Sequence, residues 1–340
     1  MTGVFASNVV CKFSDDVELS ISVAPGQSVL ESALESDLPL MHQCRSGACG
    51  SCVAKVVSGE VEMRTGVATS LLAGEQSEGL RLLCVSEAHT DAVIEFDYPS
   101  TLSGPTQVSG FVDSLEWLAT DVAHLVLELA EDNWLDFKPG QFVRIRVPGS
   151  DEWRSYSMVS TKQALPRLEF LIRCLPDGKM SEYLHSGAAV DQVLELEGPF
   201  GSFYLRDDLR ADHVMIAGGT GVAPMVSMLD TIRQKSGRKP KMLLSFGCLD
   251  ESSLFFTEEL ELRTFWMRTL ETRISLDKVD GDSDYTVGNP VEAVQADDVS
   301  ENTVAYLCGP PPMIDAAFSH LESLGLRAEN IHAEQFLSSE

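Results

Sequence analysis

Cys44, Cys49, Cys52 and Cys84 carry the clearest chemistry in this 340-residue chain. Three of them fall within Cys44-Arg45-Ser46-Gly47-Ala48-Cys49-Gly50-Ser51-Cys52, a C-x4-C-x2-C run, and the fourth stands apart. That spacing supplies the four thiolates that a plant-type [2Fe-2S] cluster requires. Two irons and two sulfides need soft anionic ligands, and a short loop presents three of them only if small residues let its backbone wrap closely. Gly47, Ala48, Gly50 and Ser51 meet that need, and their N–H groups can point at the sulfides. Zinc also accepts four cysteines, but its usual knuckles are two C-x2–4-C pairs rather than three clustered cysteines and a distant fourth. The residues therefore point to one-electron chemistry.

A second set suits phosphate-bearing cofactors. Arg154-Ser155-Tyr156-Ser157 is followed by Ile172-Arg173-Cys174, by Gly178-Lys179-Met180-Ser181 at the start of an expected helix, and by Gly198-Pro199-Phe200-Gly201. An arginine can pair with a diphosphate, a tyrosine ring can pack on a flavin, and a helix N-terminus receives phosphate through free N–H groups and its dipole. Taken singly, Arg154 reads as a surface charge and Tyr156 as a core residue. Further along, His213–Ala217 reads as a strand running into Gly218-Gly219-Thr220-Gly221 and then a helix. This is not the G-x-G-x-x-G fingerprint, yet glycines between a strand and a helix let a cofactor backbone come close. Lys241–Gly247 is a second such strand. Thr303–Leu307 is a third, ending in Cys308-Gly309-Pro310-Pro311-Pro312-Met313 before a helix with Ile314, Ala317, Phe318 and Leu321. The three strand ends are expected on one edge, where open α/β sheets bind ligands.

The elements that must hold these residues suggest three domains, since the length exceeds what one core usually serves. The first 96 residues read as a β-rich unit. Val17, Leu19, Ile21 and Val23 alternate after a turn at Asp15-Asp16, and Ser28-Val29-Leu30-Glu31 opens a helix with a capping box. Asp97–Thr106 is rich in turn formers and reads as a linker. Pro139-Gly140 then precedes a strand with Val143, Ile145 and Val147 on one face.

Hydrophobic residues make up 44% of the chain and charged residues 23%, the balance of an ordinary globular protein. No run approaches the ~18 apolar residues of a membrane span, and no signal segment is evident. Cys11, Cys174, Cys248 and Cys308 show no disulfide pattern, so a cytoplasmic location is expected. The net charge of −27 is spread along the chain and leaves no basic patch for nucleic acid. It serves solubility, or the steering of a partner with a basic face.

These motifs, in this order and spacing, resemble the ferredoxin-NADP reductase superfamily in its form with an N-terminal plant-type ferredoxin domain. The likeness rests on the four cysteines, Arg154–Ser157, Gly178–Leu184, Gly198–Asp207, Gly218–Met225, Cys308–Pro310 and Glu334-Gln335-Phe336. Within that superfamily the chain is most similar to the reductase components of benzoate- and anthranilate-type aromatic-ring-hydroxylating dioxygenases.

The resemblance implies a multidomain α+β and α/β fold. Its parts are a β-grasp ferredoxin domain (1–97), a linker (98–106), an antiparallel six-stranded FAD-binding β-barrel (107–207) and a parallel-sheet α/β NAD-binding domain (208–340). It implies [2Fe-2S] and FAD as cofactors, NADH as substrate, and a separate terminal oxygenase, Rieske-type, as partner of a monomeric reductase, with a diiron monooxygenase partner or a self-contained NADH diaphorase as the alternatives. Cys44, Cys49, Cys52 and Cys84 hold the cluster. Arg154, Lys179, Met180 and Ser181 meet the FAD phosphates, with Ser155, Ile172, Arg173 and Gly178 beside them. Tyr156 lies along the flavin and Ser157 near its N5. Thr220 and Cys308 flank the nicotinamide, among Gly218, Gly219, Gly221, Gly309 and Pro310, and Phe336 sits near the isoalloxazine ring.

Two departures stand out. Met41 replaces a proline frequent in the family, and Gln335 replaces its usual lysine. A hydride carries two electrons and the cluster takes one, so a flavin must stand between them. NADH is expected over NADPH. No Lys or Arg occurs between Lys241 and Arg263 to meet a 2′-phosphate, and Asp250 can accept from a free 2′-hydroxyl. Both carboxylates can instead start the next helix, Glu251 more readily than Asp250, which sits nearer the strand end.

Overall fold

The computed structural model describes residues 6–38, 40–65, 70–101, 105–206, 211–279 and 285–336. The side chains of Ala73 and Thr286 lie outside that description. Two compact units are found, one of residues 1–106 with 200–202, the other of 107–199 with 203–340.

The first unit holds β1 (Ser7–Lys12), β2 (Glu18–Val23), α1 (Val29–Glu35), β3 (Val53–Ser58), β4 (Val61–Met63), α2 (Ala73–Ser77), β5 (Leu80–Leu82), β6 (Ser86–Ala88) and β7 (Ala92–Glu95). Its main sheet has the order β2-β1-β7-β3-β5, with β1 and β7 parallel and β1–β2, β3–β7 and β3–β5 antiparallel. The β1–β2 hairpin turns where expected, with Asp16 at φ 61°. Only half of the expected alternation is buried. Ile21 and Val23 are in the core, whereas Leu19 is exposed near the turn. Ser28 Oγ accepts from Glu31 N–H at 3.2 Å, so the expected cap starts α1 and sends Val29, Leu30 and Ala33 inward.

Residues 98–106, expected as a linker, leave this unit gradually. Tyr98 packs on Phe13 and Phe96, its hydroxyl accepts from Met41 N–H at 3.3 Å, and Asp15 accepts from Ser100 N–H. Leu102, Ser103 and Gly104 of the linker lie outside the described residues, as does Asp207 with the expected boundary at 207/208.

The second unit begins with six strands: β8 (Thr106–Ala119), β9 (Val122–Leu129), β10 (Phe142–Arg146), β11 (Trp153–Ser157), β12 (Arg167–Arg173) and β13 (Val193–Phe200). α3 (Lys179–Ser186) lies between the last two. They form one sheet in the order β11-β10-β13-β8-β9-β12, and the pairs β8–β9, β9–β12 and β10–β11 are antiparallel. Val143, Ile145 and Val147 point into its core as their alternation requires.

There follow β14 (His213–Gly218), α4 (Val222–Gln234), β15 (Met242–Cys248), α5 (Thr257–Trp266), β16 (Leu270–Leu276), β17 (Thr286–Val287), β18 (Val304–Gly309), α6 (Pro311–Ser323) and β19 (Ile331–Gln335). Here the sheet order is β17-β16-β15-β14-β18-β19 and every pair is parallel. Parallel strands joined by helices bury both faces, which is why Met242–Cys248 is buried throughout. Val122, Val159 and Leu171 of the first half share a core with Met225 and Met228 of α4, so the two halves of this unit pack as one.

Candidate functional site

The cluster loop bends because Arg45, Gly47 and Gly50 adopt φ of 57°, 86° and 70°. This turns peptide N–H groups onto sulfur. Ser46 and Ala48 donate to Cys44 Sγ at 3.4 and 3.3 Å, and Cys44 N–H donates to Cys49 Sγ at 3.4 Å. The four thiols form two pairs. A hydrogen bond with Cys49 brings Cys44 down to about 4 and pushes Cys49 up; one with Cys52 lowers Cys84 and raises Cys52. Two thiol pairs with N–H donors on their sulfurs suit two irons sharing sulfides, so the residues fit a [2Fe-2S] cluster.

In the second unit, β11 carries Arg154-Ser155-Tyr156-Ser157, with Tyr156 opposite Val143 and Ser157 opposite Phe142. Tyr156 packs against the core of the six-stranded sheet, Ser155 is exposed, and Ser157 is buried. Arg154 Nη2 donates to Glu152 Oε2 at 2.5 Å, and Lys179 Nζ meets Glu152 Oε1. Lys179, Met180 and Ser181 are the first residues of α3, whose N-cap is Gly178. Two cations and an open helix start thus sit together, a donor set suited to the FAD diphosphate. Ile172 and Met180 are core side chains, which leaves their backbone atoms alone available to a ligand.

Ser181 Oγ accepts from Leu175 N–H at 2.9 Å, and Arg173 Nε donates to Asp121 Oδ2 at 3.1 Å. Arg173, Cys174, Gly178 and Ser181 line a cavity of about 770 Å³.

The glycine turn after β14 is held against β18. A Cβ built on Gly221 would lie 2.2 Å from the Cys308 carbonyl oxygen, so the turn carrying Thr220 touches the strand carrying Cys308 through bare backbone. β18 runs through Cys308 and Gly309, two residues past its expected end, because β19 extends the ladder and pairs Cys308 with Glu334. Phe336 N–H then donates to Gly309 O at 2.9 Å.

The sequence reading gives Glu334 no role, and the structure gives it one. Ser157 Oγ donates to Glu334 Oε2 at 2.9 Å across 177 residues of chain. Burial pushes this carboxyl up to about 7, against the pull of that hydrogen bond. The Cys308 thiol is likewise raised by burial, which leaves it a small apolar group rather than a nucleophile. Ser157, Cys308, Glu334 and the Thr220 turn therefore meet at one place.

Asp250 caps a short turn over Glu251–Ser253. Its Oδ1 accepts from Ser253 N–H at 2.9 Å and from Ser252 Oγ at 2.7 Å, the contacts of a residue that starts a helical turn. Among the described residues no helix is long and apolar enough to cross a membrane.

Three family models match the chain: a 2Fe-2S iron-sulfur cluster binding domain over residues 12–89, an oxidoreductase FAD-binding domain over 110–204 and an oxidoreductase NAD-binding domain over 215–318. The chain is 33% identical to the reductase component of propane 2-monooxygenase from Mycolicibacterium smegmatis, covering 95% of this chain and 96% of that one. It is 32% identical to the anthranilate 1,2-dioxygenase electron transfer component from Acinetobacter baylyi, covering 98% of each. Among solved structures it resembles the Amycolatopsis cytochrome P450 reductase GcoB, with a TM-score of 0.70 and 28% identity over 96% of this chain and 98% of that one. With both halves of the electron path present in one chain and its relatives alike end to end, the protein belongs to the ferredoxin-NADP reductase superfamily, in the branch with an N-terminal [2Fe-2S] domain, and is an oxidoreductase using NADH, FAD and a [2Fe-2S] cluster.

Proposed function

We propose that this chain takes electrons from NADH through FAD to the cluster at Cys44, Cys49, Cys52 and Cys84, and delivers them to a separate terminal oxygenase that hydroxylates aromatic rings, Rieske-type as first expected. The observation that carries this reading is the meeting of Ser157, Cys308, Glu334 and the Thr220 turn in the unit with the flavin and nucleotide motifs. A monooxygenase partner is the second reading, favoured by the 33% identity to a propane 2-monooxygenase reductase.

Bound FAD supplies the conversion of a hydride pair into single electrons. The chain supplies position and dryness. Arg154 and Lys179 hold the diphosphate with the N–H groups of Gly178–Ser181, Tyr156 supports the ring system, and Ser155 and Arg173 face the same ligand. Glu334 fixes the Ser157 hydroxyl by accepting its hydrogen bond at Oε2, while burial raises the pKa of the carboxyl. Cys308 and Thr220 set the nicotinamide face while Phe336 and Pro310 keep water from it.

In this reading the domains are 1–97, 107–207 and 208–340 with a linker at 98–106. The first takes the β-grasp form, and the six-stranded sheet closes as a barrel, which the Met158–Phe170 bridge supports. The chain acts as a monomer in the cytoplasm.

Steady-state kinetics with NADH and NADPH, with and without a Rieske-type aromatic-ring-hydroxylating oxygenase component, tests the reading. kcat/KM for NADH is expected to exceed that for NADPH by roughly ten- to a hundredfold, the effect of leaving a charged phosphate without its cation. NADH oxidation should also rise with added oxygenase. A preference for NADPH, or turnover that dioxygen alone sustains, contradicts it.

A further inference from the structure

Arg154 and Lys179 reach the same carboxylate, and this gives Glu152 a part in flavin binding. Glu152 Oε2 accepts from Arg154 Nη2 at 2.5 Å while Oε1 meets Lys179 Nζ, so each oxygen engages a different cation. Its pKa is lowered first by the hydrogen bond from Lys179 and then by that from Arg154. Arg154 Nη1 is turned away, donating to the Trp153 carbonyl at 3.1 Å. Lys179 is the first residue of α3, where a positive side chain adds to the positive end of the helix dipole. A cation there is unfavourable for the helix alone and needs an anion nearby. Glu152 is that anion within the chain, and a diphosphate is the same kind of partner for the same donors.

We propose that Glu152 is a positioning residue that competes with the FAD diphosphate for Arg154 and Lys179, so that it sets how tightly the flavin is held. The proposal rests on the reading that these two cations hold the diphosphate. All three side chains are partly open to water, at 38% for Glu152, 29% for Arg154 and 54% for Lys179, so the exchange of partners needs no opening of the core. The energy at stake is that of a solvent-screened pair, enough to tune affinity without deciding it.

The test compares holoprotein, Glu152→Gln and Arg154→Ala by dilution, following released FAD by its fluorescence at several salt concentrations. Glu152→Gln is expected to tighten FAD binding roughly two- to fivefold, the range for a partly exposed ion pair. Its affinity should also fall more steeply with salt, because both cations then face the diphosphate alone. Arg154→Ala should release FAD while the cluster spectrum is kept. If Arg154→Ala weakens FAD binding and Glu152→Gln leaves it unchanged or weaker, Glu152 does not compete and the proposal falls while the diphosphate reading stands. If Arg154→Ala holds FAD as well as the parent, that reading fails and the proposal falls with it.

Discussion

Cys84→Ser is expected to abolish the cluster's visible absorbance and its electron paramagnetic resonance signal, while NADH-dependent ferricyanide reduction persists. Cys84 lies in a buried turn after β5 and pairs with Cys52, and in the proposed reading it is the ligand that the C-x4-C-x2-C loop cannot supply. A serine fits the space but is a hard oxygen ligand where the irons need soft sulfur. Outer-shell changes at metal sites cost roughly 10–100-fold, and loss of a direct ligand should exceed that for any electron leaving through the cluster. Ferricyanide can accept at the flavin, whose binding domain is matched over residues 110–204, apart from the cluster domain matched over 12–89. Loss of ferricyanide reduction and of FAD together with the cluster would show that the two units do not hold their cofactors independently.

Gly221→Ala should cripple the nucleotide site and spare both resident cofactors. The added Cβ would sit 2.2 Å from the Cys308 carbonyl oxygen and 2.7 Å from its carbon, contacts that only backbone movement relieves. The strand cannot yield freely, since Ala217 pairs with Cys308 in the β14–β18 ladder and Glu334 pairs with it from the other side. Overpacking of this kind costs about 1–3 kcal/mol. A shift of that size at the Thr220 turn should lower kcat/KM for NADH roughly tenfold or more, mostly through KM, with FAD content and cluster spectrum intact. Unchanged kcat/KM would mean that the approach of turn and strand has no part in binding NADH.

The parts of this molecule legible in its sequence are those that one stretch of chain decides. The cluster loop is one, because Cys44, Cys49, Cys52 and the glycines among them act over a few residues. The strand entering Gly218–Gly221 and the helix after Gly178 are others, since caps and periodicity are local. What the sequence hides depends on pairing between distant strands. Glu334 gains meaning only when β19 lies beside β18 and brings it to Ser157, a contact 177 residues apart. Glu152 is silent until the residue before β11 meets the start of a helix 27 residues later. Leu19 has the right alternation and the wrong surroundings, for periodicity states which face a residue is on and not what covers it. Asp250 shows the converse. Its position after β15 suggests a ribose contact, yet cap hydrogen bonds occupy the carboxylate oxygen Oδ1.

The central claim is an order of events, NADH to flavin to cluster, and rapid mixing of the holoprotein with NADH under anaerobic conditions tests it most directly. Flavin bleaching is expected first, at a rate that rises with NADH and saturates. The resonance signal of the reduced cluster should follow at a rate independent of NADH, and should be lost when FAD is removed by Arg154→Ala. Cluster reduction that precedes flavin bleaching, or proceeds as fast without FAD, would contradict the account.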